Sequence, residues 1–265
     1  MTAPLDFIDH IRRESARFAE VLTSVEPDAI VPTCPDWSAS DLLWHLTEVQ
    51  LFWSIVVRDR LGSPDAAEAA IGPRPDGFDA TFSAFDDATR ELVDVLTSTP
   101  RETEVWTWAD DHSVGFLRRR QAQEALIHRL DAEQTAGAEH AIDPALAADG
   151  VDEVLRIVIG GVPAWADFIA DGHTARVHTT DEPMSWDLRF GRFTGVSPNT
   201  GISYDDEAFV VDDDVAPGTP GVVLRGPAGR LDAWLWGRGA ATDLSVDGDS
   251  AVFDRLAAIV AEGVE

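Results

Sequence analysis

Glu124 and His128 lie four residues apart in RRRQAQEALIHRLDAEQTAG, a spacing that sets a carboxylate and an imidazole one turn apart on one face of a helix. Gln121 and Asp131 fall on that face as well, whereas Arg118, Arg129 and Glu133 fall on roughly the opposite one, which reads as the solvent side. Ionisable side chains turned inward call for partners, because burial of a charge is costly unless it is paired or bound to a metal. His45 is a candidate third member: it follows Leu42 by three residues and precedes Val49 by four, inside an apolar stripe. Two histidines and a glutamate with one open position form the usual ligand set of a catalytic zinc ion rather than a structural one. The pattern alone leaves a second reading open, hydrogen-bonded core residues without an ion, because E-x-x-x-H arises often by chance.

These residues need helices to carry them. Leu5, Ile8, Ile11, Phe18, Leu22 and Val25 recur at helical spacing and predict a first helix from about residue 4 to 25. Ser38 followed by Asp41 reads as a capping box with Asp in place of Glu, after a turn at Pro35, and opens a second helix that runs to about Leu61. Residues 62–77, rich in Gly, Pro and Ala, read as a long loop. Phe78, Phe82, Phe85, Leu92 and Val95 predict a third helix, and a fourth spans about 113–136. The expectation is an amino-terminal four-helix bundle over 1–145.

Composition changes after Pro144. Residues 151–171 read as one more helix, and TARVHTT, MSWDLRF, EAFVVD and GVVLRG read as strands between Gly, Pro, Asp and Asn breaks. Residues 227–236 and 250–261 read as helices, so 146–265 is expected to be a smaller α+β domain with one sheet face covered by helices.

Forty-eight acidic against 20 basic residues give a net charge of −28, which repels phosphate backbones and anionic membranes, so neither nucleic acid nor membrane is an expected partner. No apolar run is long enough to span a bilayer, the first residues lack a signal-peptide pattern, and cytoplasm is the expected location. A single cysteine, Cys34, leaves nitrogen and oxygen as the metal ligands and reads as a half-buried turn residue rather than a reactive thiol. Trp37, Trp44 and Trp53 read as core aromatics. His10, His112, His140, His173 and His178 lack a partner at ligand spacing and fall outside the site.

Three segments carry a resemblance. VPTCPDWSASDLLWHL at 31–46, RRRQAQEALIHRLDAEQTAG at 118–137, and LRGPAGRLDAWLWGR with VDGD at about 224–248 together resemble the mycothiol-dependent maleylpyruvate isomerase family, within the DinB-like metal-binding bundles. The resemblance implies a zinc ion, or another divalent metal, held by His45, Glu124 and His128, with mycothiol, a small actinobacterial thiol, as cosubstrate. Gln123 departs from the histidine that family members often carry before the glutamate. Asp131 matches the acidic position after the histidine, where it would orient a metal ligand or bind the thiol. The implied chemistry is isomerisation of a cis double bond, by thiolate addition, bond rotation and thiolate departure, or transfer of the thiol to an electrophile. An anionic substrate needs a cationic contact, for which Arg238 in the LWGR motif and Arg230 are the candidates. Two rival readings stand beside this one. The metal would activate water for hydrolysis with Asp131 as general base, or the bundle would be a noncatalytic metal-stabilised scaffold whose second domain binds an apolar ligand or a partner.

Overall fold

The computed structural model describes residues 5–163, 165–198, 200–213 and 219–263, and the chain divides into two compact units, Met1–His140 and Ala141–Glu265. In the first, α1 (Phe7–Leu22), α2 (Ala39–Asp59), α4 (Phe78–Ser98) and α5 (Val114–Thr135) form the bundle. α1 packs on α5 and α2 on α4, while α2 against α5 and α1 against α4 close the ring. Phe18, Leu22, Leu42, Leu43, Leu46 and Phe85 fill part of its core. The expected start of α1 at residue 4 lies outside the described residues, and α1 ends at Leu22 rather than at residue 25.

The Ser38 capping box is formed: the Ser38 hydroxyl accepts from the Asp41 amide at 3.2 Å, and the Ser38 amide donates to Asp41 Oδ2 at 2.9 Å. Two elements depart from the sequence reading here. The segment before the cap is not only a turn but a hairpin, β1 (Ile30–Val31) against β2 (Cys34–Ser38), with half-buried Cys34 in its second strand. The 62–77 connection contains a short helix, α3 (Asp65–Ala70), whose alanine-rich sequence favours it.

α5 is the central helix. Phe116, Leu117 and nearly every residue from Arg120 to Glu133 are buried, so it has no solvent face over that stretch. The assignment of Arg129 and Glu133 to solvent is therefore wrong: they are 3% and 2% exposed. Arg129 Nε sits 2.6 Å from Glu14 Oε2 on α1, its Nη1 donates to Glu133 Oε1 at 3.3 Å, and Arg17 Nε donates to the same oxygen at 3.1 Å. Charge pairing across α1 and α5 replaces the water those groups would otherwise need. Arg118 is half-buried and donates to the carbonyls of Leu96 and Thr99, satisfying the open end of α4.

The second unit begins with α6 (Pro144–Glu153), which loosens into a π-helical turn over Val154–Val158. The single helix expected over 151–171 is thus overturned. Gly160, Gly161 and Pro163 end the helix, and Gly160 has no room for a side chain, since a Cβ would stand 2.0 Å from the Leu155 carbonyl oxygen. The chain then runs as a strand, β3 (Ala166–Thr179), and continues through β4 (Ser185–Val196), β5 (Ser203–Val211), β6 (Val222–Gly226) and β7 (Ser245–Gly248), the last unanticipated. The sheet order is β5-β4-β3-β6-β7, with β3 and β6 parallel and the other pairs antiparallel.

Period-two alternation sends Ala175 and Val177, Trp186, Leu188 and Phe190, and Val222 and Leu224 to one buried core. Leu231 and Trp234 of α7 (Ala228–Leu235) and Val252 and Leu256 of α8 (Ser250–Gly263) complete that core. This is the mixed helix-and-sheet architecture expected, a helical bundle followed by an α+β domain. Among the described residues no helix is long and apolar enough to cross a membrane.

Candidate metal centre

α5 holds Glu124 and His128 one turn apart, and the packing of α2 against α5 brings His45 to them. One donor atom from each of the three lies within 4.8 Å of the others. Glu124 Oε1 is the shared neighbour, 3.1 Å from His128 Nε2 and 3.7 Å from His45 Nε2. The imidazole rings meet edge to face with centroids 4.7 Å apart. Exposure grades across the group: the His45 side chain is 34% exposed, Glu124 21% and His128 9%. The centre is therefore approached from the His45 side, and His45 lies at the edge of the apolar stripe of α2 rather than beneath it.

Behind His128 stands Asp131, fully buried, with Oδ2 2.9 Å from His128 Nδ1. Its Oδ1 accepts a 2.5 Å hydrogen bond from the Thr33 hydroxyl of the hairpin. This carboxylate–histidine arrangement keeps a proton on Nδ1 and turns the Nε2 lone pair of neutral His128 toward the other donors. Trp37, from β2, lies with its ring centroid 4.6 Å from that of His45 and 6.4 Å from that of His128.

On the other side of Glu124, Arg120 Nη2 donates to Oε2 at 3.1 Å, from a side chain only 6% exposed. Burial opposes the charge on Glu124, but hydrogen bonds from His128 and His45 outweigh it and hold this carboxyl well below its usual range. Burial likewise disfavours charge on His128, yet the hydrogen bonds to Asp131 and Glu124 prevail and raise it to about 9.

Nitrogen and oxygen donors, a pre-set histidine tautomer and a carboxylate kept anionic make a set that fits a divalent cation of the zinc type. Of the residues singled out from sequence, the structure brings together His45, Glu124, His128 and Asp131. Gln121 is buried on the same helix, one turn before Glu124. Arg238 lies in the second unit just after α7, half-buried, with Nη1 donating to the Trp236 carbonyl at 2.6 Å. Arg230 is exposed and 3.7 Å from Asp243. Sequence reasoning passed over Thr33 and Arg120, while Trp37, read as a core aromatic, packs partly buried against the bundle core and also meets His45. The one signal for Thr33 and Arg120 was their position inside the same two motifs.

Two family models account for most of the chain: the mycothiol maleylpyruvate isomerase N-terminal domain matches residues 8–133, and the MDMPI C-terminal domain matches 145–255. The chain belongs to this family. Two crystal structures, one of the mycothiol-dependent maleylpyruvate isomerase and one of a histidine-to-alanine mutant of it, resemble the chain at a TM-score of 0.57. Each likeness spans 93% of this chain and 96% of the other at 15% identity, and shows the maleylpyruvate isomerase fold. No curated protein matches the sequence. In the family's frame, the donor cluster falls inside the N-terminal domain match and Arg238 inside the C-terminal one.

Proposed function

We propose that this chain is a metal- and mycothiol-dependent enzyme that isomerises a small maleylpyruvate-like electrophile or transfers the thiol to one. The observation that carries the reading is the cluster of His45, Glu124 and His128 backed by Asp131, in a chain of this family. His45, Glu124 and His128 hold the cation, zinc by donor type. When bound, a divalent cation supplies the positive charge that favours thiolate over thiol, and thiolate is the nucleophilic form.

The chain's own residues do the rest. Asp131 holds the Nδ1 proton and orients His128, while Thr33 holds Asp131. Trp37 presents an aromatic ring beside His45, against which a bound ligand can pack. We assign the substrate carboxylate to Arg238 on the strength of its motif, because a guanidinium binds a carboxylate through two hydrogen bonds. The supply of thiol from outside fits a chain whose one cysteine, Cys34, sits half-buried in the hairpin. Water activation by Asp131 is disfavoured, since that carboxylate has no exposure and bonds both Thr33 and His128.

The test incubates zinc-loaded protein with a maleylpyruvate-like alkene or a simple haloarene, with and without mycothiol, and follows trans product or conjugate. Turnover that needs mycothiol and survives Cys34→Ser is expected. Equal rates with and without thiol would sink the proposal and favour the hydrolase reading. Conjugation without isomerisation would select thiol transfer over isomerisation.

A further inference from the structure

Glu124 has two carboxylate oxygens with different neighbours. Oε1 faces both imidazoles, whereas Oε2 accepts from Arg120 at 3.1 Å, one helical turn back along α5. Arg120 is 6% exposed and so stands in the interior beside a group of cation ligands. A buried guanidinium next to a divalent cation is electrostatically adverse, because like charges repel strongly where water is excluded. If tight metal binding alone were needed, a neutral donor would serve Oε2 better. What arginine adds is a rigid planar donor and a charge-assisted bond, which fix the rotation of the carboxylate and occupy one of its oxygens.

That occupation has a consequence for coordination. A carboxylate free to rotate can offer a metal one oxygen or two, and a second oxygen takes a position that a catalytic site leaves for its reactants. We propose that Arg120 is a positioning residue that confines Glu124 to one ligating oxygen, Oε1, and thereby keeps coordination positions open for the small thiol and the electrophile. The proposal rests on the metal-dependent reading above and adds to it the residue that sets the coordination number.

The test uses the full chain loaded with cobalt(II), whose visible absorption reports coordination number, in the wild type, Arg120→Met and Arg120→Lys. Loss of Arg120 removes a repulsive charge while freeing Oε2, so metal and thiol should respond in opposite directions. Arg120→Met, which has no donor, is expected to bind cobalt as tightly as the wild type or more tightly, to show the weaker absorption of a higher coordination number, and to bind mycothiol about tenfold or more weakly. Arg120→Lys, which keeps a cationic donor at this position, should return the spectrum toward that of the wild type. A merely structural arginine would lower both affinities together, with no rescue of the spectrum, and that result overturns the proposal. So does a spectrum and a mycothiol affinity of Arg120→Met within twofold of the wild type.

Should Arg120→Met fail to fold, a crystal structure of the zinc-loaded wild type decides the point. Glu124 ligating through Oε1 with Oε2 on Arg120 supports the proposal, and ligation through both oxygens refutes it. A wild type that takes up no cobalt would refute the metal-dependent reading itself, and this one with it.

Discussion

Metal uptake should release a proton from His128, and the structure gives the size of the effect. His128 is raised to about 9 by Asp131 and Glu124 against the cost of burial, so in the metal-free protein it carries a proton at pH 7. Ligation needs the neutral ring, and a group of this affinity gives up about one proton per metal at pH 7, against roughly a quarter of a proton for an ordinary histidine. Glu124 adds none there, being already ionised. Competition from that proton weakens apparent metal affinity about 100-fold at pH 7, or close to 3 kcal/mol, and the affinity should climb about tenfold per pH unit between 6 and 8 before levelling near 9.

The same shift governs the metal-free protein. A histidine whose folded value is raised adds stability that is complete below its unfolded value of about 6.5 and is lost as pH rises through 9. The rise in melting temperature on adding zinc should therefore grow with pH. Titration calorimetry in buffers of different ionisation heat measures the proton count directly. Release of less than half a proton at pH 7, or an affinity flat from pH 6 to 8, would show that His128 does not ligate or that Asp131 does not hold its proton.

The geometry sets four further outcomes. Alanine at His45, Glu124 and His128 together should abolish stoichiometric zinc by elemental analysis while circular dichroism keeps most of the helix. Asp131→Asn should weaken zinc binding about 10- to 100-fold in a chelator competition, with Thr33→Val giving a smaller loss, because these residues orient a ligand without touching the metal. Arg129→Ala takes a buried cation away from Glu14 and leaves Glu133 to Arg17, and should cost about 3–5 kcal/mol in urea unfolding, a value near zero marking the pairing as dispensable. Asp41 is lowered to about 2 by the Ser38 hydroxyl and amide and by Arg74; a depressed carboxylate stabilises above its unfolded value near 4 and loses that contribution as pH falls through 2. Its side chain is nearly half exposed, so Asp41→Asn should cost only about 0.5–1 kcal/mol and flatten the acid limb of the stability curve between pH 4 and 2.

Local periodicity set out much of this protein in advance. The four long helices of the bundle, the capping box at Ser38 and four of the strands rest on interactions between near neighbours, which sequence spacing encodes. The shared face of Glu124, His128 and Asp131 is legible for the same reason, since helix geometry alone decides it. The helix expected over 151–171 holds only to Val158, because whether the apolar residues from Ala166 onward, such as Phe168 and Ile169, continue a helix or form a strand is not set by local spacing. The break at Gly160–Gly161 and pairing with β4 settled that choice.

Long-range packing decided the rest. His45 meets Glu124 only because α2 lies against α5, and Thr33 reaches Asp131 only because β1 and β2 fold as a hairpin beside the same helix. Arg129 and Glu133 look like a solvated face in sequence, yet α1 covers them and Glu14 and Arg17 supply their partners. A charged residue on a helix states only that its charge must be met. Whether water, a neighbouring helix or a metal meets it depends on what the rest of the chain packs against it, and in α5 that packing divided one polar helix into a structural ion network and a candidate metal centre.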